Sequence, residues 1–113
     1  MAKENIKVVE AYLKSLEERD LSKAPFADDI HFDDPVAGSG NGADDFRGFL
    51  SGFLPAIGAI TVRTHICEND IVVTQFDVET VFGTIHILEK FVIKNGMITE
   101  TMAFYDPRPI VGG

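Results

Sequence analysis

Phe26-Ala-Asp-Asp-Ile-His-Phe-Asp-Asp-Pro-Val-Ala-Gly38 gathers four carboxylates, two phenylalanines and a turn-forming Asp-Pro pair within thirteen residues. Read as a short strand, Asp29 to Asp34 sends Ile30, Phe32 and Asp34 to one side and His31 and Asp33 to the other, because side chains alternate along a strand. An acid therefore stands on an apolar face. Pro35 biases Asp34 toward extended geometry, and Gly38, Gly40 and Gly42 leave the following loop free to fold over the strand. A carboxylate among apolar neighbours beside a loop is a candidate general base. The competing reading is that Asp34 only initiates an Asp-Pro turn.

Working outward, Asn5 to Arg19 reads as an amphipathic helix, with Ile6, Val9, Tyr12, Leu13 and Leu16 recurring at steps of three and four. Tyr12 lies in that apolar stripe, as a core residue or as a placed hydroxyl. Asp20 caps a short second helix through Leu21-Ser-Lys-Ala, ended by Pro25. After the glycine loop, Ala43, Phe46, Phe49, Leu50, Phe53 and Leu54 mark a third helix stopped near Pro55. Gly48 and Gly52 on its thin side suggest close approach of another backbone.

From Ala59 the period changes to two. Ile60, Val62, Thr64 and Ile66 alternate with Thr61, Arg63, His65 and Cys67, and Glu68-Asn-Asp turns the chain into Ile71 to Phe82. Gly83 opens a strand, Thr84 to Lys94, in which Ile85, Ile87, Phe91 and Ile93 share a face with Glu89. Asn95-Gly96 predicts a tight hairpin into Met97 to Tyr105, where Tyr105 shares parity with Thr99, Thr101 and Ala103. Helices first and antiparallel strands after them give an α+β fold, with helices covering one face of a curved sheet.

The 113 residues suit a single domain, 1–113, with one core. Eighteen acidic against ten basic residues give a net charge of -8, a field that repels phosphate backbones and anionic lipid, so neither nucleic acid nor membrane is an expected partner. Met1-Ala-Lys-Glu-Asn-Ile lacks the apolar core of a signal peptide, and a cytoplasmic location is expected. Cys67 is the only cysteine, which leaves no intrachain disulfide and no cysteine zinc site. The histidines His31, His65 and His86 fall on the parity opposite to Asp34 and Glu89. No metal cluster, nucleophile triad or phosphate loop is expected, and no cofactor.

Tyr12, Asp34 and Glu89 each interrupt an apolar face. A carboxylate buried there must pair, protonate or do chemistry. For Glu89 the alternative is a rim position paired with Lys90 or Arg63, or the outer sheet face.

Two runs carry a resemblance across nearly the whole chain. Ala11-Tyr-Leu-Lys-Ser-Leu, Arg19-Asp-Leu and Phe26-Ala-Asp-Asp-Ile-His-Phe-Asp-Asp-Pro-Val resemble the N-terminal half of ketosteroid isomerases. Leu88-Glu-Lys-Phe-Val-Ile-Lys-Asn-Gly-Met-Ile-Thr-Glu-Thr-Met-Ala-Phe-Tyr is similar to their final strand pair. The chain thus resembles the superfamily of nuclear transport factor two-like, SnoaL-like and ketosteroid isomerase proteins. That resemblance implies a cone-shaped, cystatin-like α+β barrel with a deep cavity between helices and sheet. It puts Asp34 where the isomerases keep their base, Tyr12 at their oxyanion-hole tyrosine, and Glu89 where they hold an aspartic acid neutral in an apolar site. The glutamate is a departure by one methylene. Phe32, Phe49, Phe53, Phe91, Thr101 and Tyr105 are the expected cavity walls.

The resemblance implies an isomerase that shifts a proton next to a carbonyl in a small apolar ketone. The alternatives are non-catalytic binding of an apolar metabolite and a SnoaL-like cyclase or lyase activity. Limonene epoxide hydrolases carry an acid at a last-strand position that corresponds here to Ala103, which weighs against epoxide opening. Relatives commonly pair through the outer sheet face, and a homodimer through Thr61, Arg63, His65, Thr84, His86, Leu88 and Val92 is expected.

Overall fold

The computed structural model describes residues 2–112, so Met1 and Gly113 of the expected 1–113 domain lie outside it. Helix α1, Ala2–Glu17, buries Val9, Tyr12, Leu13 and Leu16 against the sheet, as the spacing predicts. It stops two residues before the expected end. Arg19 takes a left-handed backbone (φ 58°), its N–H donates to the Leu16 carbonyl at 3.1 Å, and Asp20 N–H donates to the Ser15 carbonyl at 3.0 Å. That paired arrangement closes a helix C-terminus and here uses Arg19 in the place glycine usually fills. The Arg19 guanidinium then ties the helix end to the Ile57 carbonyl at 2.8 Å.

The expected second helix is a single turn. Asp20 does bind Ser22 N–H at 3.0 Å. Pro25 has no N–H to extend the turn, and it disfavours helical geometry at Ala24. Arg47 takes the Leu21 and Ala24 carbonyls instead, at 3.0 and 2.9 Å, with its guanidinium over the Phe26 ring.

Six strands form one sheet: β1, Phe26–Asp34; β2, Gly38–Asn41; β3, Ile57–Glu68; β4, Ile71–Thr80; β5, Gly83–Lys94; β6, Met97–Phe104. Their order is β2-β1-β6-β5-β4-β3, antiparallel except where β1 runs parallel to β6. The glycine loop is itself a strand. Gly40 sits opposite Phe32, and a β-carbon on Gly40 would meet the Phe32 ring at 2.4 Å, so the glycine makes room for the aromatic beneath it. Helix α2, Ala43–Ser51, ends earlier than expected, and Leu54–Ala56 form a 3-10 turn at Pro55. No atom approaches the missing β-carbon of Gly48 within 4 Å, so no neighbouring backbone explains that glycine.

Register shifts bend the sheet and change which side chains face inward. In β3, Val62 pairs with Phe76 and Thr64 with Gln75, leaving Arg63 as an extra residue. Such a bulge reverses the parity beyond it. His65 consequently lies on the helix side, opposite Thr74, rather than on the outer face where simple alternation puts it. Its Nδ1 is 2.8 Å from the Thr74 hydroxyl and its Nε2 is 3.5 Å from Glu10. A shift in β6 likewise leaves Thr99 out of the ladder and turns Ile98 inward. Strand β4 ends at Thr80, with Val81 and Phe82 in the turn. The Asn95-Gly96 turn has positive φ at both residues, as that pair predicts.

The core lies between α1, α2 and the concave face, where Phe26, Phe32, Phe46, Phe76 and Phe91 are buried. Phe32 stacks on Phe46 at 4.8 Å and has Gly40 on its other side. Replacing Gly40 with Ala should therefore overpack this stack and cost roughly 1–3 kcal/mol, measurable by urea denaturation. An unchanged midpoint would mean that the Phe32 ring yields freely.

Candidate functional site

A cavity of about 90 Å³ opens between the helices and the bent sheet. Leu16 of α1, Phe46, Phe49 and Leu50 of α2, and Phe53 and Ile57 after it form the helix side. Phe76, Val78, Ile85, Ile87 and Ala103 form the sheet side. Into this apolar wall come the polar residues Tyr12, Asp34, Thr80, Glu89, Thr101 and Tyr105, together with Asp33, which alternation put on the other side of β1, and no Lys, Arg or His is among the lining residues.

Tyr12 enters from α1. Its ring packs tilted against Phe26 at 5.4 Å and edge-on against Phe91 at 5.8 Å, which fixes its direction. Among the described residues its hydroxyl makes no hydrogen bond, so it remains available to a ligand. Burial, then the nearby Glu89 and Asp34 carboxyls, push its ionisation well above the ordinary value. Tyr12 therefore stays a neutral donor.

Asp34 closes β1 and does two jobs with separate oxygens. Oδ1 accepts from Val36 N–H at 2.7 Å, Ala37 N–H at 3.2 Å and the Tyr105 hydroxyl at 2.7 Å. The Asp-Pro turn reading is thus satisfied by one oxygen. Oδ2 carries no hydrogen bond among the described residues, so the carboxylate keeps a lone pair for chemistry. Tyr105, just past β6, is itself pushed upward in ionisation, first by burial and then by this bond to Asp34.

Glu89 stands midway along β5 on the concave face, between Thr74 of β4 and Ala103 of β6, and is only 4% exposed. Neither Lys90 nor Arg63 pairs with it: Lys90 reaches Glu100 and Arg63 reaches Asp77, both at the outer face. The Thr101 hydroxyl donates to Glu89 Oε2 at 2.5 Å. Burial raises the Glu89 carboxyl to about 7, partly opposed by the Thr101 bond and reinforced by the Asp34 charge. The other oxygen, Oε1, has no hydrogen-bond partner among the described residues.

Of the expected walls, Phe49, Phe53, Thr101 and Tyr105 line the cavity together with Tyr12, Asp34 and Glu89. Phe32 and Phe91 do not. Phe32 stacks on Phe46 with Gly40 against its ring, and Phe91 is fully buried behind Tyr12, so both support the wall rather than form it. Ile85 and Ile87 share the parity of Glu89 and were readable from it. Ile110, from the chain end, had no signal in the sequence.

Residues 1–112 match the family described as a domain of unknown function (DUF4904). The chain belongs to that family. No curated protein matches it. Among solved structures it is similar to an NTF2-like protein of unknown function from Cytophaga hutchinsonii ATCC 33406, with 18% identity, coverage of 94% of this chain and 93% of that one, and a TM-score of 0.82. It is also similar to a steroid delta-isomerase from Pseudomonas aeruginosa, at 17% identity over 92% and 80% of the two chains and a TM-score of 0.74. A third likeness is to an LEH-like epoxide hydrolase from M. tuberculosis, at 18% identity over 96% and 87% and a TM-score of 0.76. These likenesses carry the fold. The DUF4904 chain has the α+β architecture of the nuclear transport factor two-like superfamily, an architecture found in both isomerases and hydrolases. Among the described residues no helix is long and apolar enough to cross a membrane.

The raised Glu89 value links protonation to stability. Below pH 4.5 the carboxyl is protonated folded or unfolded, and above about 7 it is ionised in both, so the cost of burying the charge is felt as pH rises between them. That difference corresponds to a loss of about 3 kcal/mol between pH 4.5 and 8. Urea denaturation at pH 5 and pH 8.5 should show Glu89→Gln losing about that much less than the parent over the interval. An equal loss in both proteins would place the Glu89 carboxyl in water.

Proposed function

We propose that this DUF4904 protein moves a proton next to a carbonyl in a small, neutral, apolar ketone, converting a β,γ-unsaturated ketone to its conjugated isomer. The observation that carries this reading is the division of labour at Asp34. Oδ1 is held by three donors while Oδ2 is left free in the same apolar cavity as an unpartnered tyrosine hydroxyl and a carboxyl raised to about 7. Asp34 Oδ2 takes the proton from the carbon between carbonyl and alkene. The C–H electron pair becomes a new C=C bond, and the carbonyl oxygen takes the negative charge. Tyr12 and protonated Glu89 donate to that oxygen, the interaction that lowers the barrier most in such reactions. The carbonyl then re-forms, and the distal alkene carbon takes the proton back from Asp34.

Asp34→Asn keeps an acceptor for Val36, Ala37 and Tyr105, so turn and fold should persist while turnover of a β,γ-unsaturated cyclohexenone falls by roughly 10⁴-fold. Tyr12→Phe should cost roughly 10²-fold, because Glu89 still donates. Above pH 7 the rate of the parent should decline as Glu89 loses its proton, and Glu89→Gln should flatten that limb. Absorbance of the conjugated product reports all three, and an Asp34→Asn rate equal to the parent's would remove the base. Binding of the ketone without turnover by the parent would instead favour a non-catalytic pocket.

A second copy of the chain is proposed as partner through the convex sheet face. Ile66, Ile71, Leu88 and Phe104 are exposed there at 63, 39, 45 and 55%, and Leu88 and Phe104 are direct neighbours across β5 and β6. Around them lie Thr61, Arg63, Thr84, His86 and Val92, an apolar centre with a polar surround, whereas His65 belongs to the other face. Sedimentation equilibrium at micromolar concentration should give twice the chain mass, and Leu88→Glu or Phe104→Glu should return it to the monomer. A monomer mass for the parent would rule this interface out.

A further inference from the structure

The chain beyond Tyr105 makes one last turn, α3, Arg108–Val111. Its hydrogen bonds among the described residues are internal. Ile110 and Val111 N–H both donate to the Pro107 carbonyl at 2.9 Å, and Gly112 N–H donates to the Arg108 carbonyl at 2.8 Å. Asp106 clasps Arg108 through its backbone N–H at 3.0 Å and its guanidinium at 2.6 Å, and Pro107 and Pro109 restrict the backbone between. Arg108, Pro109 and Val111 are exposed, while Ile110 reaches the cavity wall. One turn of chain therefore separates the cavity from solvent at this point. The segment is pre-shaped by its own bonds; just before it the Tyr105 hydroxyl binds Asp34, and within it the Ile110 side chain lines the cavity.

We propose that this turn is a strap across the ligand cavity and that Ile110 sets the largest ligand the cavity accepts, a molecule of one or two rings with an oxygen head. The proposal rests on the cavity being the ligand site described above. With Ile110 in place, the cavity of about 90 Å³ suits one ring or two fused rings better than four. The oxygen head meets Tyr12 and Glu89 at the sheet end. The body of the ligand extends toward Ile110, so changes at Ile110 act on ligand length and not on head-group recognition. Because the turn closes its hydrogen bonds on itself, a smaller side chain at Ile110 enlarges the space beneath it without unmaking any of them.

Phenol, 2-naphthol and estradiol carry the same hydroxyl-bearing ring on bodies of increasing size, and their binding can be followed by calorimetry without turnover. Ile110→Ala should tighten estradiol by at least about ten-fold while leaving phenol within about two-fold. Ile110→Phe should do the reverse, weakening 2-naphthol by about ten-fold with phenol again little changed. Equal shifts for all three ligands in either variant, no shift for any, or no binding of any to the parent and both variants would overturn the strap. Tyr12→Phe separates the two ideas. If it leaves all three affinities unchanged while the Ile110 variants still sort ligands by size, the enolate-stabilising role of Tyr12 fails and the strap stands.

Discussion

A carboxyl group in the middle of an apolar sheet face, with no cation beside it among the described residues, is the constraint to which the rest of the site answers. Glu89 has Thr74 and Ala103 as ladder neighbours and, among the described residues, Thr101 as its one side-chain hydrogen-bond donor. One neutral donor does not compensate a buried charge, so the group responds by holding its proton. That response needs water kept out, and the aromatic side chains of α2 and the residues after it do this from the opposite wall. The nearby carboxyl of Asp34 adds to the same effect. The two acids stand in different surroundings, one shifted toward its protonated form by burial and the other anchored by backbone N–H groups and a phenol.

The outline of this arrangement was legible in the sequence because the relevant strands obey simple alternation. Ile85, Ile87, Glu89, Phe91 and Ile93 do face one way, and Glu89 is inside because its parity is theirs. The helix stripe of Val9, Tyr12, Leu13 and Leu16 was equally plain. Alternation failed where the sheet bends. One extra residue at Arg63 carries His65 to the concave side, and the irregularity after Val92 exchanges Thr99 for Ile98. Bulges have no strong residue signature, yet they bend the sheet around the cavity. The same physics that makes the site possible hides part of it from a period-two reading.

Two further misreadings have a common cause, which is that a pattern says which side a residue faces but not how deep it stands. Phe32 and Phe91 face the concave side as expected, yet each has another ring between it and the open space. The glycine-rich stretch after Asp34 shows the converse. It read as a loop because glycine is a poor strand former, but Gly40 is in a strand because Phe32 needs the volume a side chain would take.

The donors and acceptors left unspent limit what the cavity can hold. Tyr12 offers a hydroxyl, and protonated Glu89 offers another through the oxygen that Thr101 does not occupy. Asp34 Oδ2 offers an acceptor. An anion would meet the carboxyls of Asp34 and Glu89, with Asp33 also in the lining, and no Lys, Arg or His there. An amine would bring further donors to an end already supplied with two, and its charge would draw the proton off Glu89 and expose that group's burial cost. A neutral molecule with a carbonyl oxygen and an acidic C–H has the complementary set, since the oxygen accepts twice and the carbon gives up one proton. In the proposed reaction the match is better in the enolate than in the ketone, because the oxygen to which Tyr12 and Glu89 would donate gains charge. In the proposed reaction such a match would favour the reacting form over the bound substrate, which is the requirement for catalysis rather than storage.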